Sequence, residues 1–278
     1  MRSILFFLLP FLFIISPVHV SAEPLSLGRG VELRDSVLEI GAGVEKIGDY
    51  QFRDCTQIKE IRFAEGIRLR SIGDYAFWGC SNLREIKLPA TVLTIGEGAF
   101  RECESLEKVG LPDKIESLPP FLFYFCESLK DVTIPSGVKK IGRSAFGYCR
   151  DLQKIDIPKG IRNIGSNAFS CCSSLERIML PSSITELESY AFSDCSSLES
   201  ITFPANDYLL GELILSGCHR LRRIIERSSV PPKFDCESYL FEPDEAERYA
   251  EVVLQVAPGN TTAYRHAHGW RLFRKIEE

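Results

Sequence analysis

The chain has 278 residues, 45% of them hydrophobic, and a formal net charge of −5. That is enough apolar material for a sizeable core, and too little positive charge for nucleic acid or anionic lipid to be natural partners. After the first 22 residues no apolar run reaches the roughly eighteen residues of a membrane span, so an exported product without such a span is expected.

In chain order, residues 1–22 read as a secretory signal. Arg2 supplies the positive start, Ile4 to Ile15 is apolar apart from Pro10, and Val20-Ser21-Ala22 offers small residues before a cut at Glu23. No cysteine stands at the cut, which argues against a lipid anchor. Residues 23–43 follow as an N-terminal cap, a partial coil with Leu38 and Ile40 in strand positions.

From 44 to 225 the chain is periodic. Cys55, Cys80, Cys103, Cys126, Cys149, Cys172, Cys195 and Cys218 are separated by one gap of 25 residues and six of 23. A fixed step of this size marks a solenoid, whose units bury their apolar faces only by stacking on neighbours. Phenylalanine stands three before the cysteine from Phe52 to Phe192, and leucine or isoleucine three after it from Ile58 to Leu221. Next come two apolar columns in period-2 alternation, such as Ile86 with Leu88 and Ile178 with Leu180, which is a strand signal. Proline ends that strand at Pro89, Pro112, Pro135, Pro158, Pro181 and Pro204. A second apolar pair is often closed by glycine, at Gly48, Gly73, Gly96, Gly142 or Gly165, which is expected to supply a left-handed turn or a close approach of neighbouring backbones. About eight coils are expected, mainly β, with short turns or at most one helical turn around Ala-Phe-x-x-Cys. Stacked at about 4.8 Å they would span roughly 40 Å.

Ten cysteines in an exported chain would ordinarily suggest disulfides. One cysteine per coil at one structural position instead gives side chains that all point the same way, which is poor bridging geometry. Buried free thiols are therefore expected, with Cys171 and Cys236 unassigned.

Residues 226–278 read as a C-terminal capping segment of α+β character. Glu226 stands where an apolar residue belongs, Pro231-Pro232 marks the exit, and helical character is expected from Pro243 to Ala250. A strand from Val252 to Val256 and a short helix from Ala263 to Ala267 follow, with Trp270, Leu272, Phe273 and Ile276 closing the last coil.

The string Ile-x-Leu-Pro-x-x-Val-x-x-Ile-Gly-x-x-Ala-Phe-x-x-Cys, unbroken from Ile86 to Cys103 and matched again from Val132 to Cys149, closely resembles the BspA-like leucine-rich repeat. Leu254 to Gly259, with Tyr264 and Gly269-Trp270, is similar to the cap that often follows such arrays in secreted proteins of Bacteroidetes. The resemblance covers roughly residues 38 to 278 and implies a leucine-rich-repeat solenoid. It also implies export to the cell surface, periplasm or medium, and adhesin-like binding of host extracellular-matrix proteins or other cells.

Chemistry-bearing motifs are absent from the sequence. No nucleophile elbow, metalloprotease or phosphate-loop motif occurs, and His266-x-His268 alone is a weak metal signature. No catalysis, cofactor or metal is expected. Two surfaces stand out instead. On the strand face, Lys108, Asp131, Lys154 and Arg177 belong to one outward column of mixed charge. Near the cysteines, Trp78 and Tyr124 stand two before, Phe125 and Tyr148 one before, and Phe121 five before, with the stretch from Leu118 to Cys126 the sharpest departure from the repeat. These rings either cover the flank of the core or mark an interaction site. The expected function is a monomeric, non-enzymatic protein-recognition module, anchored by Trp78, Phe121, Tyr124, Phe125 and Tyr148, with specificity from Lys108, Asp131, Lys154 and Arg177. Glycan binding and a structural or assembly role are the alternatives.

Overall fold

A computed structural model describes residues 30–234 and 239–278. The expected signal sequence, residues 1–22, and Cys236 lie outside these residues. The chain is a β-solenoid of about 10 coils with little helix.

One face of each coil is a short strand, parallel to and in register with the next. Leu38 pairs with Ile61, Ile86 with Val109, and Val109 with Val132. The ladder is interrupted at residues 153–157 and resumes with Ile178, Ile201 and Ile224 in line. The opposite face carries two-residue strands such as Lys140–Ile141 and Asn163–Ile164. Between the two faces lies the core, including Phe52, Phe77, Phe100, Phe123, Phe146, Phe169 and Phe192, all fully buried. These rings form a continuous stack, with centroids 5.2 to 6.0 Å apart between successive coils. The prolines end the strands and serve the following turn, since the Pro89 and Pro135 carbonyls accept from Val92 and Val138 N–H.

Seven column thiols, from Cys80 to Cys218, each reach down one coil. From Cys80 Sγ to the Phe52 carbonyl (3.1 Å), and so on to Cys218 Sγ on Phe192 (3.2 Å), the donor is a thiol and the acceptor is the carbonyl of the phenylalanine below. The same carbonyl already accepts the N–H of its own coil's cysteine, as Phe77 does from Cys80 at 3.1 Å. The thiol therefore satisfies the second lone pair of a buried carbonyl, besides filling space. All nine described cysteines are free thiols.

The expected role of the closing glycines divides in two. They are not left-handed; they allow close approach, because a Cβ on Gly142 would sit 2.6 Å from Pro120 N in the coil below. The left-handed positions are the residues five and one before each cysteine, from Tyr50 and Asp54 through Leu213 and Gly217. There the backbone turns the corner while its N–H groups keep pairing with the next coil, as Phe52 N does with Ala76 O at 2.8 Å.

The ends are closed differently. At the N-terminus the strand Val31–Arg34 folds back antiparallel on Val37–Ile40 through Asp35 and Ser36, both at positive φ as a two-residue hairpin turn requires. At the C-terminus the coil count exceeds the expected eight, because Val253–Gln255 and Lys275–Glu277 continue the parallel ladder, with Ile224, Leu254 and Ile276 in register. The cap is tied on by buried Arg248, whose Nη2 donates to the Cys218 and Leu221 carbonyls at 3.2 and 2.8 Å. Trp270, Phe273 and Ile276 are buried as expected of a cap, whereas Leu272 is 39% exposed. Glu226 occupies the buried column that holds Phe203 one coil earlier. Tyr208 Oη (2.7 Å) and Ser228 N–H (3.0 Å) donate to its carboxylate, and burial pushes its pKa up to about 7. No helix among the described residues is long and apolar enough to cross a membrane.

Candidate functional site

The side chains two before each cysteine stack coil upon coil in the order Arg53, Trp78, Arg101, Tyr124, Gly147. The Arg53 guanidinium lies 3.8 Å from the Trp78 ring centroid, and Arg101 lies 5.1 Å from the same ring and 5.3 Å from Tyr124. Cations and rings thus alternate at the coil spacing, each pair contributing about 0.5–2 kcal/mol depending on desolvation. A neighbouring acid orients each cation: Arg53 Nε donates to Asp54 (3.1 Å) and Arg101 Nε to Glu102 (2.9 Å). Glycine ends the alternation for a steric reason, since a Cβ at Gly147 would meet the Tyr124 ring at 2.9 Å.

The flanking rings sit on the left-handed corners. Phe121, Phe125 and Tyr148 have φ of 56°, 60° and 63°, in columns where other coils place Gly98, Gly79 and Gly217. A bulky residue held there costs about 1–2 kcal/mol, which ring packing offsets. Phe125 stacks on Tyr148 at 4.2 Å, Tyr124 meets Phe125 edge-on at 4.7 Å, and Phe121 meets Tyr124 at 5.5 Å. Arg143 covers Phe121 at 4.9 Å, and Tyr75 joins Trp78 at 5.6 Å. The structure therefore brings the five expected aromatics, Trp78, Phe121, Tyr124, Phe125 and Tyr148, into one band over four successive coils, all half-buried. The Tyr148 hydroxyl is pushed up to about 12 by its interaction with Cys171, with burial adding to the shift, so it stays protonated at physiological pH.

The expected charged residues are not gathered there. Lys108, Asp131 and Arg177 lie on the strand face, where Lys108 pairs with Asp131 at 3.5 Å and Arg177 with Glu199 at 3.6 Å. Lys154 is exposed in the coil where the strand ladder is interrupted. Exposed pairs of this kind contribute about 0–1 kcal/mol. The arginines of the band, Arg53, Arg101 and Arg143, were missed by sequence reasoning, which followed aromatic residues alone; the alternation down one column was the available signal.

The column thiols are poor nucleophiles. Burial pushes Cys103, Cys149 and Cys195 well above the ordinary thiol range, so little thiolate forms near neutral pH. Among the described residues no three His, Cys, Asp or Glu side chains gather as a metal site would need. His266 and His268 are exposed, and His266 Nδ1 lies 2.8 Å from the Thr262 carbonyl.

A family model described as "BspA type Leucine rich repeat region" matches residues 35–149 and 116–241, in six copies. Among solved structures, a leucine-rich repeat protein from Bacteroides ovatus ATCC 8483 is similar at 26% identity and a TM-score of 0.63, over 86% of this chain and 62% of that one. The T. pallidum leucine-rich repeat protein is similar at 26% identity and a TM-score of 0.55, over 69% of this chain and 86% of that one. The chain thus spans less than two thirds of the B. ovatus protein's length. No curated protein sequence matches it.

Proposed function

Since the chain belongs to the BspA-type leucine-rich repeat family, a repeat scaffold rather than a catalytic fold, we propose that it is an exported or surface-held, non-enzymatic recognition module. It acts as a monomer and binds a protein partner through the aromatic–arginine band. The observation that carries this reading is the alternation of Arg53, Trp78, Arg101 and Tyr124, flanked by rings held on left-handed corners where glycine stands in other coils. Aromatic and arginine side chains are the residue types enriched at the centres of protein interfaces. Sugar stacking requires an open ring face, and Trp78 lies between Arg53 and Arg101, which favours a protein over a glycan. Proteins of the extracellular matrix and of other cell surfaces are the partner class to test.

The test is capture of matrix and cell-surface proteins by immobilised wild-type chain and by Trp78→Ser, Tyr124→Ser and Phe125→Ser variants whose circular dichroism is unchanged. Loss of the captured species in the variants supports the site. Equal capture by all four proteins removes it.

A further inference from the structure

The strand face of the last coils differs from the rest of the sheet in its charge. A groove of about 720 Å³ is lined by Arg177, Arg220, Arg222 and Arg223, with Ile225 and a single carboxylate, Glu199. All four arginines are exposed. On a chain of net charge −5 this is a local concentration of cations. Their present partners are few and replaceable: Arg177 meets Glu199 at 3.6 Å, Arg222 meets Glu251 at 4.0 Å, and Arg223 Nη1 donates to Gln255 Oε1 at 3.0 Å. Arg177 and Arg223 both lie in register with Ser200, one coil to either side, and so stand two coil steps or about 10 Å apart. At about 3.3 Å per residue, three residues of an extended chain cover that distance.

An apolar socket adjoins the groove. Met179, on the same strand as Arg177, is 59% exposed and lines a cavity of about 450 Å³ with Leu180, Phe203 and Pro204, rimmed by Lys159 and Arg227 and by one carboxylate, Asp156. Guanidinium forks match carboxylates bidentately. A sulfated polysaccharide would satisfy the cations and leave the socket empty, whereas a peptide can fill both.

We propose that this groove takes an extended acidic segment of the partner protein, with carboxylates on Arg177 and Arg223 and one apolar side chain beside Met179. The proposal rests on the recognition reading above and adds to it the chemistry of the partner.

The full chain is titrated into a short fluorescein-labelled peptide of glutamates flanking one leucine, followed by anisotropy. Saturable binding that weakens with added salt is expected, with no binding when glutamine replaces glutamate. Arg177→Ala with Arg223→Ala should weaken binding about tenfold or more, or ~1.4 kcal/mol, and Met179→Ser should weaken it less. If the alanine pair does not fold, the lysine pair at the same positions keeps the charge and should still bind more weakly, for want of the bidentate fork. Absence of peptide binding, binding indifferent to salt or to these arginines, or binding of a sulfated polysaccharide in place of the peptide would overturn the proposal. Trp78→Ser should leave peptide affinity unchanged. The two readings therefore fail separately: the groove through the arginine variants and peptide, the aromatic band through capture of the whole partner.

Discussion

Neighbouring columns of the same turn have opposite characters. The residues three before each cysteine are the same phenylalanine in seven coils and are fully buried. One residue further on, the column runs arginine, tryptophan, arginine, tyrosine, glycine, serine and stays at the surface as far as Tyr124. The first column must repeat, because each ring packs on its own copy above and below. The second meets no such demand, since its neighbours need only be compatible in size and charge. The array therefore separates the residues that build it from the residues free to recognise something, by a single step along the chain.

The largest expected effect comes from breaking the uniform column. Phe146→Ala removes a ring stacked on both sides, at 5.5 and 5.2 Å, and should lower stability by roughly 3–5 kcal/mol, read from urea denaturation. A loss below about 1 kcal/mol would mean that the stack relaxes around the gap.

Next comes the one buried column that admits a charge. Glu226 has its pKa raised by burial, to about 7 from an ordinary value of 4.5, so folding favours the protonated acid. Its contribution is fully present below about pH 4.5 and is lost as pH rises to about 7, a swing of roughly 3 kcal/mol. The stability of Glu226→Gln relative to wild type should therefore rise by about that amount between pH 4 and pH 8. Parallel pH profiles for the two proteins would show that the carboxyl titrates normally.

A smaller effect is expected of Cys149→Val. It keeps an apolar side chain, one methyl larger, and removes the donor to the Phe123 carbonyl at 3.3 Å, at a cost of about 1 kcal/mol. A stabilised variant would mean the thiol acts by packing alone.

The smallest change in stability should come from Phe125→Gly. Relief of the left-handed backbone offsets the lost stacking on Tyr148, so the melting curve should shift by less than about 1 kcal/mol, while capture of the partner falls. A large loss of stability would make the aromatic band a structural element and close the gap between the two columns.

The sequence showed the buried columns well, because burial leaves a hydrophobic period. Phe52 to Phe192, the cysteines and the strand residues from Ile61 to Ile224 all lie where the 23-residue step puts them. Backbone conformation leaves no such trace in hydrophobicity. The left-handed corners could have been read only from Asp54, Gly79, Asp194 and Gly217 in one column and Gly98 and Asn167 in the other, residue types that tolerate positive φ. The last rungs, Leu254 and Ile276, were missed as coils because the step after Ile224 changes to 30 and then 22 residues while the register in space persists. Of the candidate site, the five rings were legible from their place near the cysteines. Their arginine partners were not, because a charged residue in a surface column reads as ordinary solvation until its neighbour one coil away is considered.

The thiol-to-carbonyl bonds have a consequence for how such a chain can change over generations. Each coil is joined to the one below by the same few links, from cysteine to phenylalanine and from turn to turn, so one coil end is interchangeable with another. Loss or duplication of one 23-residue unit by unequal crossing-over would leave every remaining link intact and move the surface patches on either side by one rung, about 4.8 Å. The spacing between the aromatic band and the arginine groove is then adjustable in whole-coil increments, and a lineage can search for a partner's dimensions without disturbing its own interior.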